Sequence, residues 1–118
     1  MKTNEEVVSL IEKEFTTAKH AVSIGNEGMV RVCARRACGI AITYLLEYFP
    51  EKKWGNDAMN QLKSLQTDVS FSEESRDAAM RLTTKVNQQF SVPFSENPID
   101  DAKIIIEEVE NKLRVAKL

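Results

Sequence analysis

The sequence is poor in the residues that most enzyme and metal sites require. It holds one histidine, His20, in 118 residues. A lone histidine with no cysteine or carboxylate at ligand spacing makes no zinc site, and it cannot serve a Ser-His-Asp or Cys-His arrangement by itself. The reading is therefore no metal, no cofactor, no catalytic residue and no enzyme. The two cysteines, Cys33 and Cys38, fall on one expected helix. Five residues apart, their side chains point about 140° from each other. That geometry closes no disulfide and leaves two buried structural thiols. No apolar run nears a membrane span, and Met1-Lys2-Thr3-Asn4-Glu5-Glu6 has no signal-like apolar stretch, so the expected location is cytoplasmic, away from membranes. Charge of one sign is missing too: 16 Lys and Arg against 18 Asp and Glu give a net charge of −2. Whole-molecule electrostatics then favour neither nucleic acid nor an anionic surface, and any anion site has to be local. No basic stripe with interleaved aromatics speaks for RNA.

Glycine and proline are scarce as well, with 4 and 3 residues, which leaves room for long uninterrupted elements. Nearly every segment has the three-and-four spacing of an amphipathic helix, and one domain over residues 1–118 is expected. Thr3 and Glu6 suit a capping box, and Val7, Leu10, Ile11, Phe15, Ala18 and Val22 make one apolar face over Glu5 to Val22. Gly25, Asn26 and Gly28 mark a turn. A second helix is expected over Met29 to Phe49, ending before Pro50. It is apolar around more than half its circumference, which places it centrally and leaves only a thin strip of Val32, Arg36, Gly39, Ile40, Thr43 and Glu47.

A short third helix over Asn56 to Thr67 turns Ala58, Leu62 and Leu65 inward. Ser72 caps a fourth, with Glu73 and Glu74 at its positive end and Ala79, Leu82, Val86 and Phe90 as its buried stripe. A loop over Ser91 to Asn97 follows. Asn97, Pro98, Asp100 and Asp101 then signal the start of a last helix burying Ile99, Ala102, Ile105, Ile106, Val109, Leu113 and Ala116. The expected fold class is all-α, an antiparallel up-and-down four-helix bundle with one additional short helix. Trp54, Phe71 and Phe94 fall in loops, as lids or plugs over the bundle ends; an exposed contact role stays open for Trp54.

The best functional lead is Arg31, Arg35 and Arg36 at the start of the second helix. Arg31 and Arg35 lie one turn apart, in register with Ile42, Leu46 and Phe49 on an otherwise buried face. Guanidinium forks suit phosphate or carboxylate, and the adjacent helix N-terminus adds partial positive charge. Two readings stand. One is an anion, nucleotide or partner-carboxylate site. The other is internal ion pairing with Asp100, Asp101, Glu5, Glu6 or Glu27. Arg36, on the polar strip, is expected to meet solvent or Glu47. The Gly25–Gly28 turn lacks the spacing, lysine and preceding strand of a P-loop.

The stretch Arg31-Val32-Cys33-Ala34-Arg35-Arg36-Ala37 on a central helix, with Phe94-Ser95-Glu96-Asn97-Pro98-Ile99-Asp100-Asp101-Ala102 before the last one, resembles the HEPN family of small helical nucleotide-binding domains. The resemblance spans about Glu5 to Leu113. Ribonuclease members carry an arginine followed four to six residues later by a histidine. His20 precedes every arginine here, so the resemblance implies the non-catalytic branch. It also implies a binding or interaction module, a homodimer, and a nucleotide or a nucleotidyltransferase as candidate partners. The wide apolar arc of the second helix adds to the expectation of a homodimer. The alternatives are the substrate-binding partner subunit of a nucleotidyltransferase in a toxin–antitoxin-like system, and a purely protein–protein interaction bundle.

Overall fold

A computed structural model describes residues 2–85 and 93–118, and all regular structure among them is helical. Helix α1 spans Asn4–Ser23 and is capped by Thr3, whose hydroxyl accepts the Glu6 amide at 3.1 Å and donates to the Glu6 carboxylate at 3.2 Å. Val7, Ile11 and Ala18 are buried as expected. Val22 is not: it is 53% exposed, and Ala21 takes the inward place. Over the fifteen residues from Val7 the helix has turned about 60° past register, which carries Val22 off the apolar face.

Helix α2 spans Glu27–Leu46. It starts two residues earlier than expected because Asn26 is its cap, accepting the Met29 amide at 3.1 Å, while Gly25 makes the turn at φ 71°. Gly28 lies inside the helix. The C-terminal end is shorter than expected: Glu47, Tyr48 and Phe49 bond to carbonyls three residues back, a tightened turn ahead of Pro50. Helix α3 is Ala58–Leu65, capped by Asp57; α4 is Glu73–Thr83, capped by Ser72; α5 is Pro98–Ala116, capped by Asn97. Val86 and Phe90, expected on α4, and part of the loop after it, lie outside the described residues. Ala116, expected inward on α5, is exposed.

Helix α2 is the hub, packed against each of the other four. Its arc of Ala34, Ala37, Cys38, Ala41, Ile42 and Leu45 is buried within the chain, while Leu46, Tyr48 and Phe49 towards its C-terminal end are half-buried. Gly39, expected on the polar strip, is buried under α3: a Cβ there would sit 2.8 Å from the Ala58 Cβ. The missing side chain sets how closely α2 and α3 approach. Gln61 of α3 is fully buried beside it, donating to the Thr43 hydroxyl and the Gly55 carbonyl, both at 2.9 Å. Trp54 is half-buried against Phe71, which is itself 2% exposed, so both close one end of the core. No helix of the described residues is long and apolar enough to cross a membrane.

Candidate functional site

Arg31 and Arg35 point from α2 at the C-terminal end of α4. The last carbonyls of any helix lack intrahelical donors. Here Arg31 Nη2 donates to the carbonyls of Arg81 at 2.8 Å, Leu82 at 3.3 Å and Thr84 at 3.0 Å. Arg35 Nε donates to the Leu82 carbonyl at 2.7 Å. The Met80 carbonyl is taken by the Thr84 hydroxyl at 2.8 Å. Arg31 is 7% exposed, and its Nε finds no partner among the described residues. Burial lowers the pKa of Arg31, with the charge of Arg35 acting the same way and Asp101 against it; burial alone lowers that of Arg35. Two cations are thus held close together because the negative pole of a helix and a nearby carboxylate face them.

The internal partners are not the ones expected. The arginines bond backbone carbonyls; Asp101 pairs with Arg81 of α4 instead, through bonds of 2.8 to 3.1 Å. That bidentate pair ties α4 to the start of α5, and the hydrogen bonds that Arg81 donates to Asp101 raise the Arg81 pKa. Glu96 adds a looser contact to Arg81 at 3.7 Å. Arg36 lies apart from the other two: its Nη2 meets Glu14 of α1 at 3.0 Å, not Glu47. The structure therefore joins Arg31 and Arg35 at one place and puts Arg36 on another face.

The opposite end of α4 carries a second electrostatic anchor. The Glu108 carboxylate on α5 accepts the Ser72 amide at 3.0 Å, the Ser72 hydroxyl at 2.7 Å and the Ser75 hydroxyl at 2.6 Å. Burial pushes its pKa up, but the bonds from Ser75 and Ser72, with Lys112 nearby, outweigh that and hold it below the usual value. Nothing local in the sequence singled out Glu108, because its partners lie over 30 residues away on another helix.

Three hollows surround this framework. One, of about 400 Å³, lies between the α1–α2 turn and the start of α5, with Arg31, Phe94 and Glu96 in its wall. The cap residues of α2 and α5 line it as well, but the Asn26 and Asn97 side chains already hold first-turn amides. A second, of about 480 Å³, follows the polar strip of α2 past Arg36 and Glu14. The third is a trough between α1 and α5. These helices both pack on α2 but scarcely on each other. Two adjoining hollows of about 540 and 370 Å³ share Val8, Ile11, Glu110 and Arg114 and make one continuous channel.

Cys33 and Cys38 are buried free thiols, and burial raises both pKa values. His20 is exposed near the end of α1. Among the described residues there is no group of three or more His, Cys, Asp or Glu able to hold a metal. The class these observations define is an all-helical protein, with four helices packed on a central one among the described residues. No family model matches the chain, and no match was found among curated proteins or solved structures.

Proposed function

We propose that this chain is a non-catalytic interaction module, a HEPN-like antiparallel four-helix bundle with one short extra helix, that works through its surface and not through its arginine cluster. The observation that carries this reading is the trough between α1 and α5, open along its length, with Ile11, Ile106 and Leu113 in its walls. Arg31 Nη2 and Arg35 Nε support it from the other side: they are already engaged by α4 carbonyls, and an incoming phosphate would have to compete with them. The partner subunit of a nucleotidyltransferase is one form such a module takes.

A second reading, a phosphate-bearing ligand such as a nucleotide, rests on the hollow beside Arg31, where the starts of α2 and α5 converge. Glu96 in its wall opposes an anion. Thermal unfolding against nucleotides, polyphosphates and short RNAs separates the two, since a ligand of the native state raises the melting temperature. The interaction reading expects no stabilisation by any of them, and a lowered melting temperature for Arg31→Ala without ligand. A nucleotide that stabilises the protein, and fails to stabilise Arg31→Lys, would replace it.

A further inference from the structure

Arg31 is buried with part of its hydrogen-bonding capacity unused. A guanidinium donates from Nε and from both Nη atoms. Here only Nη2 does so, to the carbonyls of Arg81, Leu82 and Thr84. Nε is buried without a partner, and Nη1 donates to nothing among the described residues. An unmade bond from a buried charged donor is costly, so this side chain favours an acceptor that reaches it. The way in is the hollow of about 400 Å³ between the α1–α2 turn and the start of α5, which Arg31 walls. Its volume is in the range of small-molecule sites. Val22, Val30 and Phe94 give it an apolar side, and Glu27 and Glu96 a polar one.

Charge selects the kind of acceptor. The α4 carbonyls already meet the Arg31 charge, and two carboxylates share the hollow with it. Glu96 is tied only loosely, to Arg81 at 3.7 Å. An anion would be drawn by one group and repelled by two. A neutral carbonyl meets no such opposition, and a primary amide adds an NH2 group for a carboxylate to accept. From this we infer that the hollow binds a neutral small molecule carrying a carboxamide on an apolar body, its carbonyl accepting from Arg31 and its nitrogen donating to Glu96. The body lies against Val22, Val30 and Phe94. This site uses donors that α4 leaves over, and it shares no residue with the trough between α1 and α5. It goes beyond the interaction reading and differs from the phosphate reading in the charge of the ligand.

The test titrates the full chain with benzamide, benzoate and acetophenone, which share a ring and differ in the polar group. Binding and its place are both read from amide and arginine side-chain chemical shifts. The expected result is binding of benzamide, with shifts centred on Val22, Val30, Phe94 and the Arg31 side-chain N–H groups. Benzoate should bind about tenfold more weakly, because its carboxylate faces two others. Acetophenone should be about threefold weaker, since water replaces the donor that exposed Glu96 loses. Glu96→Gln, with an unchanged melting temperature, should bring benzoate within about threefold of benzamide. A preference for benzoate overturns the inference in favour of an anion site. Equal binding of all three reduces the hollow to an apolar cleft and overturns it as well. So does an unchanged preference in Glu96→Gln, the absence of any shift up to the solubility limit, or shifts centred elsewhere. Each of these outcomes bears on the hollow alone and leaves the interaction reading standing.

Discussion

The two ends of α4 are held by opposite charges from different helices, and they are built in different ways. At its start the local rules are followed: Ser72 caps the helix, accepting the Ser75 amide at 3.1 Å, and the Glu108 carboxylate reinforces a cap already there. At its end the local bonds, from the Thr83 and Thr84 hydroxyls, reach only the Ala79 and Met80 carbonyls. The C-cap is Thr84, with extended backbone and no glycine, and the carbonyls are taken by guanidiniums from α2, about fifty residues earlier in the chain. A helix of 11 residues with a largely polar sequence is too short to persist alone. One end of α4 is therefore specified nearby, while the other exists only once α2 has packed against it.

That asymmetry makes the C-terminal end the more sensitive. Arg31→Ala should cost about 3 kcal/mol, because three carbonyls lose a charged donor in a buried place; urea unfolding with an unchanged m-value would show it. Arg31→Lys should recover only part of this, since an ammonium cannot reproduce the planar fork. Glu108→Ala should cost about 1.5 kcal/mol, less because the Ser72 hydroxyl still caps the helix. If the second loss equals or exceeds the first, the comparison is the wrong way round.

The double variant Arg31→Ala, Glu108→Ala sharpens the point. The two anchors share no partner, so their effects should add to within about 0.5 kcal/mol. A larger coupling would mean that α4 behaves as one rigid unit whose ends sense each other.

Acid should act on the N-terminal end first. Glu108 has a lowered pKa in the folded protein, so its stabilisation is complete above the unfolded value and is lost as pH falls through the folded one. Asp68, in the connection ahead of α4, follows the same rule: burial opposes its ionisation, but hydrogen bonds from Lys52 and Ser70 bring the pKa down to about 2 from 3.8. Its contribution should fade between those two values. Unfolding measured at stepped pH should show the Arg31 anchor unaffected over that range, and Lys52→Met should remove the part due to Asp68. This is the smallest expected effect.

The helix starts were legible because their signals are local. Thr3, Ser72, Asn97 and Pro98 each lie within three residues of the amides they serve or replace. Asn26 was legible as part of a turn but not as a cap, since Gly25 and Gly28 both suggested a longer break. The arginine cluster was legible as an anomaly: charges on the buried face of α2 needed a partner. Which partner was not legible, because a backbone carbonyl has no signature in sequence and the candidates considered were side-chain carboxylates. Glu108, Arg81 and the burial of Gly39 were missed for the same reason: each takes its meaning from another helix.

By itself the sequence determined that this chain is helical, where most of its helices begin, and which apolar residues form their inner faces. Periodicity and capping act over one or two turns, so they are written contiguously in the chain. Tertiary structure decided what the charges do. It turned two arginines into the C-terminal anchor of α4, sent Arg36 to Glu14, and left α1 and α5 apart with a charged trough between them. Those outcomes depend on which helix ends meet in space. That is fixed by the packing of four helices around α2, and no single helix carries it.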